Sequence, residues 1–240
     1  RNPLLFFCSD LFDYAREQDP SKRLLLLLNK ADLLTEAQRL KWSEYFVSLG
    51  IEHAFYSAFA EGQKLEAALE ETMVAEDLSS ISAHALLSRN QLLTRLHRLV
   101  AGGAVGMVGY PNVGKSSTIN LLVGQKRVAV AATPGKTKHF QTLSVDLSHL
   151  SLGILNLCDC PGLVFPNFTA TRADLVLNGI LPIDQLREWL EPVALLVQRI
   201  PRGSLEQIYG VDLSTFDADG QPRSLGAHDL LAAHARKLHF

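Results

Sequence analysis

Short runs of apolar residues alternate along the chain with segments in which apolar residues recur every three or four positions. Residues 23–28 carry five leucines after a basic pair, which is typical of a strand buried on both faces of a parallel sheet. Similar runs predict strands at 51–56 and 104–108. Two further strands, at 142–147 and 153–158, are predicted to be neighbours.

Helical periodicity fills the intervals between these strands. Thr35 followed by Gln38 forms a capping-box pattern, which predicts a helix to Leu49 with Gly50 as its stop. The chain beyond Pro166 is also predicted to be mainly helical. The other helices are predicted at 2–17, 64–73, 84–100 and 115–123. Alternating strands and helices indicate an α/β fold with a mainly parallel sheet, whose ligands bind at the carboxyl ends of the strands.

Composition narrows the class of protein. The chain has 240 residues, of which 47% are hydrophobic, and this fraction excludes wholesale disorder. Its 23 basic and 25 acidic residues give a formal net charge of −2, which excludes a globally basic nucleic-acid-binding surface. The sequence contains no apolar stretch of membrane-spanning length, and its three cysteines are expected to be reduced. We therefore expect a soluble intracellular protein.

The strongest motif follows the predicted strand 104–108. Residues 109–116 read GYPNVGKS and match the phosphate-loop pattern G-x-x-x-x-G-K-[S/T]. Backbone N–H groups of such a loop face phosphate oxygens, the lysine contacts the β- and γ-phosphates, and the serine hydroxyl binds Mg²⁺. The predicted nucleotide contacts in this segment are Gly109, Tyr110, Pro111, Asn112, Val113, Gly114, Lys115, Ser116 and Ser117. Lys115 is also a predicted catalytic residue.

A second motif, DCPG at residues 159–162, directly follows the predicted strand 153–158. Asp159 is placed to hold Mg²⁺ together with Ser116, and the N–H of Gly162 is placed to approach a γ-phosphate. Between the two motifs, Thr137 is expected to complete the Mg²⁺ shell, with Thr133 as the alternative. Thr137 and Gly162 are therefore predicted to take part in catalysis.

Base specificity is predicted from the sequence NKAD at residues 29–32, which ends the leucine strand. The Asp32 carboxylate matches the N1–H and the exocyclic amine of guanine, a donor pair that adenine lacks. Asn29 and the stem of Lys30 are expected to support the loop and cover the base. Ser57 and Ala58, after the next strand, are expected to present a backbone N–H to guanine O6. GTP and GDP are thus the predicted nucleotides, and an ATP-using enzyme is disfavoured.

The order of these motifs is rotated, because the base-reading motifs precede the phosphate loop. With this order, the chain resembles the circularly permuted GTPases of ribosome assembly, and most closely the eukaryotic cytoplasmic large-subunit GTPase family. The resemblance spans nearly the whole chain. It is carried by RNPLLF at 1–6, NKADLL at 29–34, GYPNVGKSSTIN at 109–120, ATPGKTKHFQT at 132–142, CDCPGLVFP at 158–166 and GILPIDQ at 179–185.

The resemblance implies a circularly permuted P-loop GTPase domain over residues 1–180. It comprises a base-reading half (1–73), a linker and helix (74–102) and a phosphate and switch half (103–180). A small helical domain, expected to be incomplete, occupies 181–240. Members of the family run a strand directly into the Arg-x-Pro found here at residues 1–3. The resemblance therefore also implies a central strand upstream of residue 1.

The function implied by the resemblance is a GTPase switch in late assembly of the large ribosomal subunit, the pre-60S particle, that promotes release of an export adaptor. Expected partners are ribosomal RNA, ribosomal proteins and that adaptor, and neither a membrane nor DNA. A cytoplasmic monomer with nuclear shuttling is expected. The alternatives are a nucleotide-binding scaffold with little turnover, or a nucleolar or mitochondrial GTPase of the same permuted class.

Hydrolysis is expected to be slow without an activator. Leu163 occupies the position at which ordinary GTPases place a water-orienting glutamine. Asn112 leaves two alternatives open, a K⁺ ligand near the phosphates or a loop asparagine that bonds its own backbone. The basic residues around the predicted switch loop also have two possible roles, which are contact with ribosomal RNA or a place on a solvated surface. They are Lys126, Arg127, Lys136, Lys138 and His139.

Overall fold

The computed structural model describes residues 3–67, 81–100, 103–124, 140–163, 171–215 and 219–239. The chain forms two compact units, Arg1–Pro166 and Asn167–Phe240. The sequence predicts a domain boundary at 180/181. The division into compact units does not test that boundary, which stays a prediction. No described helix is both long and apolar enough to cross a membrane.

The first unit is a mixture of strands and helices. Its strands are β1 (Leu26–Leu28), β2 (His53–Phe55), β3 (Ala104–Met107), β4 (Gln141–Asp146) and β5 (Ile154–Asp159). Its helices are α1 (Pro3–Phe6), α2 (Ser9–Gln18), α3 (Glu36–Ser48), α4 (Ala58–Ala67), α5 (Arg89–Val100) and α6 (Lys115–Val123). The α/β class predicted from the sequence is confirmed.

Local signals account for several helix boundaries. Thr35 Oγ1 accepts a hydrogen bond from the backbone N–H of Gln38, and the Gln38 side-chain oxygen accepts one from the backbone N–H of Thr35. The predicted capping box therefore starts α3. Helix α6 has its predicted bounds. The predicted helix 2–17 is wrong as a single element, because the chain leaves the helical conformation after Phe6. The Phe7 ring packs there against Phe46, with centroids 6.1 Å apart.

Helix α4 begins six residues earlier than the sequence predicted. The reason is Ser57, whose Oγ accepts a hydrogen bond from the backbone N–H of Ala60 at 3.0 Å. This is the side-chain contact that an N-cap serine makes with the first turn of a helix. The base-reading motif around Ser57 therefore leads directly into α4, and residues 68–80 lie outside the described part of the chain.

The strands pair in two groups, and two of the three pairings are parallel. β1 lies parallel to β2, with Leu26 opposite His53 and Leu28 opposite Phe55. β5 lies between β3, which is parallel to it, and β4, which is antiparallel. In each parallel pair the carboxyl ends lie at the same edge, so the polar residues that follow them are brought together there.

A mainly apolar cavity of about 430 Å³ separates the two groups of strands. Residues 24–28 line one side and 104–108 the other, while α1, α2, α5 and α6 contribute further residues. In the described residues β1 pairs only with β2 and β3 only with β5, so each presents an open edge to the cavity. The central strand expected from the resemblance stays a prediction.

The leucine run at 23–28 is less buried than expected. Only Leu28 is buried, and the leucines before it are half-exposed because they line the cavity. The main core lies elsewhere, where α5 and α6 pack on β5 through residues such as Leu92, Leu122 and Leu155. This core fixes α6, and with it the loop that precedes α6.

The second unit is helical in its described residues, in agreement with the sequence. It contains α7 (Arg172–Leu177), α8 (Leu190–Arg199), α9 (Arg202–Tyr209) and α10 (Ala227–Lys237). Leu205, Leu213 and Leu230 form its buried core. None of the predicted nucleotide-site residues lies in this unit.

Candidate nucleotide-binding site

The phosphate-loop motif occupies the turn between β3 and α6. Asn112 and Gly114 both have positive φ, at 59° and 98°, so the backbone bends sharply within the loop. Lys115 begins α6, and its Nζ donates to the carbonyl oxygens of Gly109 and Tyr110 at 2.8 Å each. The loop thus surrounds the lysine ammonium group at the N-terminal end of a helix, where backbone N–H groups favour an anion.

Lys115 lies in an environment suited to phosphate. Burial lowers the pKa of its ammonium group, and the nearby Asp159 carboxylate opposes this shift. Among the described residues, the hydrogen-bond acceptors of the ammonium group are neutral carbonyl oxygens of the loop. A phosphate oxygen would offer this cation a stronger, charge-assisted acceptor.

The base-reading loop lies directly against the phosphate loop. The Asn29 side-chain amide donates to the carbonyl oxygen of Val113 at 3.0 Å, and Lys30 Nζ donates to the carbonyl oxygen of Asn112 at 3.2 Å. These partners are 84 and 82 residues apart in the chain. The structure therefore brings residues 29–32 and 109–116 to one place.

Ser57 and Ala58, which follow β2, contact the base-reading loop. Ser57 Oγ donates to the Asp32 carboxylate at 2.5 Å and so fixes its orientation. The backbone N–H of Ala58 donates to Asn29 Oδ1 at 3.1 Å. The donation of this N–H to guanine O6 stays a prediction, and it requires that a base share or replace the bond to Asn29.

Two of the three predicted metal ligands lie together. Ser116 Oγ donates to Asp159 Oδ2 at 2.8 Å, and Asp159 is 0% exposed. Its second oxygen, Oδ1, is buried with no hydrogen-bond partner in the described residues. A buried carboxylate oxygen without a partner is costly, and hard cations such as Mg²⁺ prefer oxygen ligands. The donor set therefore fits Mg²⁺.

The motif after β5 touches the start of the phosphate loop. The backbone N–H of Leu163 donates to the carbonyl oxygen of Gly109 at 3.1 Å. A Cβ built on Gly162 would lie 3.1 Å from Cα of Pro111, so a side chain here would press on the loop. Between Asp159 and these residues, burial raises the pKa of the Cys160 thiol to about 11, which keeps it protonated.

Other predicted site residues differ in what they offer a ligand. The ring of Tyr110 is buried edge-on to Phe6, with centroids 5.8 Å apart, so Tyr110 has only its backbone to offer a nucleotide. Ser117 lies in the first turn of α6. Thr133, Thr137 and the basic residues from Lys126 to His139 lie outside the described residues, and their roles stay predictions.

Sequence reasoning missed a polar cluster behind the base-reading loop. Glu61, in α4, is 9% exposed and accepts hydrogen bonds from Lys64 Nζ at 2.7 Å and from the backbone of Arg89 at 2.8 Å. Arg89 itself binds carbonyl groups of α6. Ser88 and Gln91 form a reciprocal cap at the start of α5, and this S-x-x-Q pattern was the available signal.

Comparison with known proteins shows which proteins this chain resembles. Residues 104–200 match the family described as 50S ribosome-binding GTPase. Large subunit GTPase 1 of Saccharomyces cerevisiae is 43% identical to this chain over 98% of its length. The Large subunit GTPase 1 homolog of Drosophila melanogaster is 42% identical over the same share. Over nearly its whole length, the chain is therefore similar to large-subunit GTPases.

The match covers only part of each full-length family member. The chain spans 40% of the yeast relative and 46% of the fly relative, so it corresponds to less than half of either protein. In this chain the base-reading residues 29–32 and 57–58 precede the phosphate loop at 109–116, so the order of the motifs is rotated.

Two solved structures are weakly similar to this chain. They are the GDP-bound and GNP-bound structures of YlqF from T. maritima, each with a TM-score of 0.45. The first is 20% identical, covering 88% of this chain and 77% of YlqF, and the second is 22% identical, covering 88% and 75%. This likeness is too weak to establish a shared arrangement of the elements.

The contact between the two loops makes Gly114 sensitive to substitution. We expect Gly114→Ala to lower the free energy of unfolding by roughly 2–3 kcal/mol, because it adds a left-handed backbone strain and a methyl group that meets the Asn29 amide. Gly50→Ala is the matched control, since Gly50 also has positive φ but has no atom within 4 Å of an added Cβ. It should cost only about 1 kcal/mol. Equal costs in urea unfolding would contradict the contact.

Proposed function

We propose that this chain is the GTP-binding and GTP-hydrolysing part of a protein that acts in late assembly of the large ribosomal subunit. The observation that carries the nucleotide assignment is the Asp32 carboxylate, held by Ser57 beside a phosphate loop. The ribosomal assignment is supported by the names of the relatives, which describe large-subunit GTPases.

Nucleotide binding uses groups from both halves of the domain. Asp32 accepts hydrogen bonds from guanine N1–H and the exocyclic amine, while the Lys30 stem covers the base. The backbone N–H groups of residues 109–116 bind the phosphates. Lys115 exchanges its carbonyl partners in the loop for phosphate oxygens, which costs little because those carbonyl bonds are replaced by charge-assisted ones.

Ser116 and Asp159 are the residues that hold Mg²⁺. The metal, when bound, neutralises charge on the phosphate oxygens. In the structure the Ser116 hydroxyl donates to Asp159 Oδ2. Asp159 Oδ1 has no hydrogen-bond partner among the described residues, which leaves it for a cation or its water shell. Thr137 is the third proposed ligand, and GTP, GDP and Mg²⁺ are the proposed ligands of the site.

GTP hydrolysis needs a group that orients the attacking water, and the residues named above do not supply one. Leu163 is 46% exposed and apolar, so its side chain is unable to orient the attacking water. We therefore place the activating group on the ribosomal particle or on a K⁺ ion beside Asn112. The N–H of Gly162 is proposed to meet the γ-phosphate.

The proposed setting is the cytoplasm, with nuclear shuttling, and the proposed partner is the pre-60S particle with its ribosomal RNA and proteins. The proposed output is release of an export adaptor. The protein is proposed to act as a monomer and to require neither a membrane nor DNA. A scaffold that binds GTP without turnover is the rival function, and Leu163 is the feature that favours it.

Changing Asp32 tests the base assignment. We expect Asp32→Asn to weaken GDP binding by roughly 100-fold or more, because the amide presents a donor where guanine also presents donors. Binding should shift toward xanthosine diphosphate, whose C2 carbonyl accepts from the new amide. Asp13→Asn, an exposed position in α2, is the matched control. Unchanged GDP affinity, measured by competition with a fluorescent nucleotide, would contradict the assignment.

Hydrolysis by the full-length protein tests the proposed function. We expect slow GTP turnover alone and roughly 10-fold or greater stimulation by purified large ribosomal subunits. Running the assay in K⁺ and in Na⁺ tests the role of Asn112, and Lys115→Ala gives the baseline without a working phosphate loop. Tight GTP binding with no turnover in any of these conditions would favour the scaffold instead.

A further inference from the structure

Arg89, the first residue of α5, contacts the C-terminal end of α6, the helix that follows the phosphate loop. Its Nε donates to the carbonyl oxygen of Leu121 at 2.8 Å, and its Nη2 donates to that of Leu122 at 2.7 Å. Both carbonyls belong to the last turn of α6, where helix carbonyls lack partners within the helix and the helix dipole favours a cation. The guanidinium group thus holds the end of α6 opposite the phosphates.

The same residue is tied to the base-reading half. The backbone N–H of Arg89 donates to Glu61 Oε2 at 2.8 Å. Glu61 lies in the first turn of α4, and its own N–H donates to the carbonyl oxygen of Ser57 at 3.0 Å. Ser57 holds Asp32. A continuous chain of contacts therefore runs from the base-reading carboxylate, through Glu61 and Arg89, to the helix of the phosphate loop.

Arg89 is partly buried, so its guanidinium group depends on the partners that surround it. Burial lowers the pKa of its guanidinium group and raises that of the neighbouring Tyr56 hydroxyl, which is buried without a hydrogen-bond partner in the described residues. Glu61 favours the charged form of Arg89. A partly buried cation is retained only where its donors are satisfied, and a planar fork that reaches two adjacent carbonyls is a property of arginine rather than lysine.

We propose that Arg89 is a positioning residue that sets the distance between the base-reading carboxylate and the phosphate loop. This inference rests on the proposed guanine-nucleotide function. A nucleoside diphosphate contacts both sites at once only when their separation matches its length, and a misplacement of about 1 Å weakens contacts steeply. Arg89 acts through α4 and α6, and it does not touch the nucleotide.

The test compares two nucleotides that differ only at the base. Inosine diphosphate lacks the exocyclic amine of GDP, so the ratio of their affinities measures how well Asp32 engages while the phosphates are bound. In the full-length protein, Arg89→Met is expected to weaken GDP binding ~10-fold, and inosine diphosphate binding less. The GDP preference should therefore shrink. Arg98→Met, at an exposed position on the same helix, is the control and should keep the wild-type ratio.

A purely structural role predicts a different result. If Arg89→Met lowers the melting temperature but keeps the wild-type affinity ratio at a temperature where it is folded, the inference is overturned. Arg89→Lys, which retains the charge and loses the fork, should give an intermediate ratio, and it serves as the test should the methionine variant not fold. A wild-type ratio near one would instead overturn the proposed guanine function.

Discussion

The hydrogen bond from the Asn29 side chain to the carbonyl oxygen of Val113 is the contact on which the proposed site depends. It joins a loop near the start of the chain to a loop 84 residues later, and Lys30 adds a second bond between the same loops. One such bond contributes only ~1 kcal/mol to stability, so its main effect is geometric. It places a carboxylate that reads a base beside a loop that binds phosphates.

Chain order is irrelevant to that geometry because strand ends, and not sequence positions, define the site. β1 and β3 deliver their loops to the same edge, yet in the described residues no strand pairing joins them across the cavity. Side-chain contacts between the two halves lie at the ligand edge, through Asn29 and Lys30, and at the opposite end of α6, through Arg89.

Much of the fold and site was predictable because it depends on local signals. The capping box at Thr35, the bounds of α6 and the proximity of Asp159 to Ser116 all follow from motifs with fixed spacing. The early start of α4 follows from the cap at Ser57, which is also a local signal. The half-exposed leucines and the contacts of Arg89 were not predictable. These features depend on tertiary contacts, such as an arginine reaching carbonyls more than 30 residues away, that periodicity does not encode.

Hydrogen–deuterium exchange with and without GDP and Mg²⁺ tests the central claim, that one nucleotide site is built from both halves of the rotated chain. We expect backbone amides at 29–34, 57–61 and 109–118 to become protected together, at the same GDP concentration, with ADP producing no such change. Protection confined to 109–118 would contradict it, because the base-reading loop would then take no part in binding.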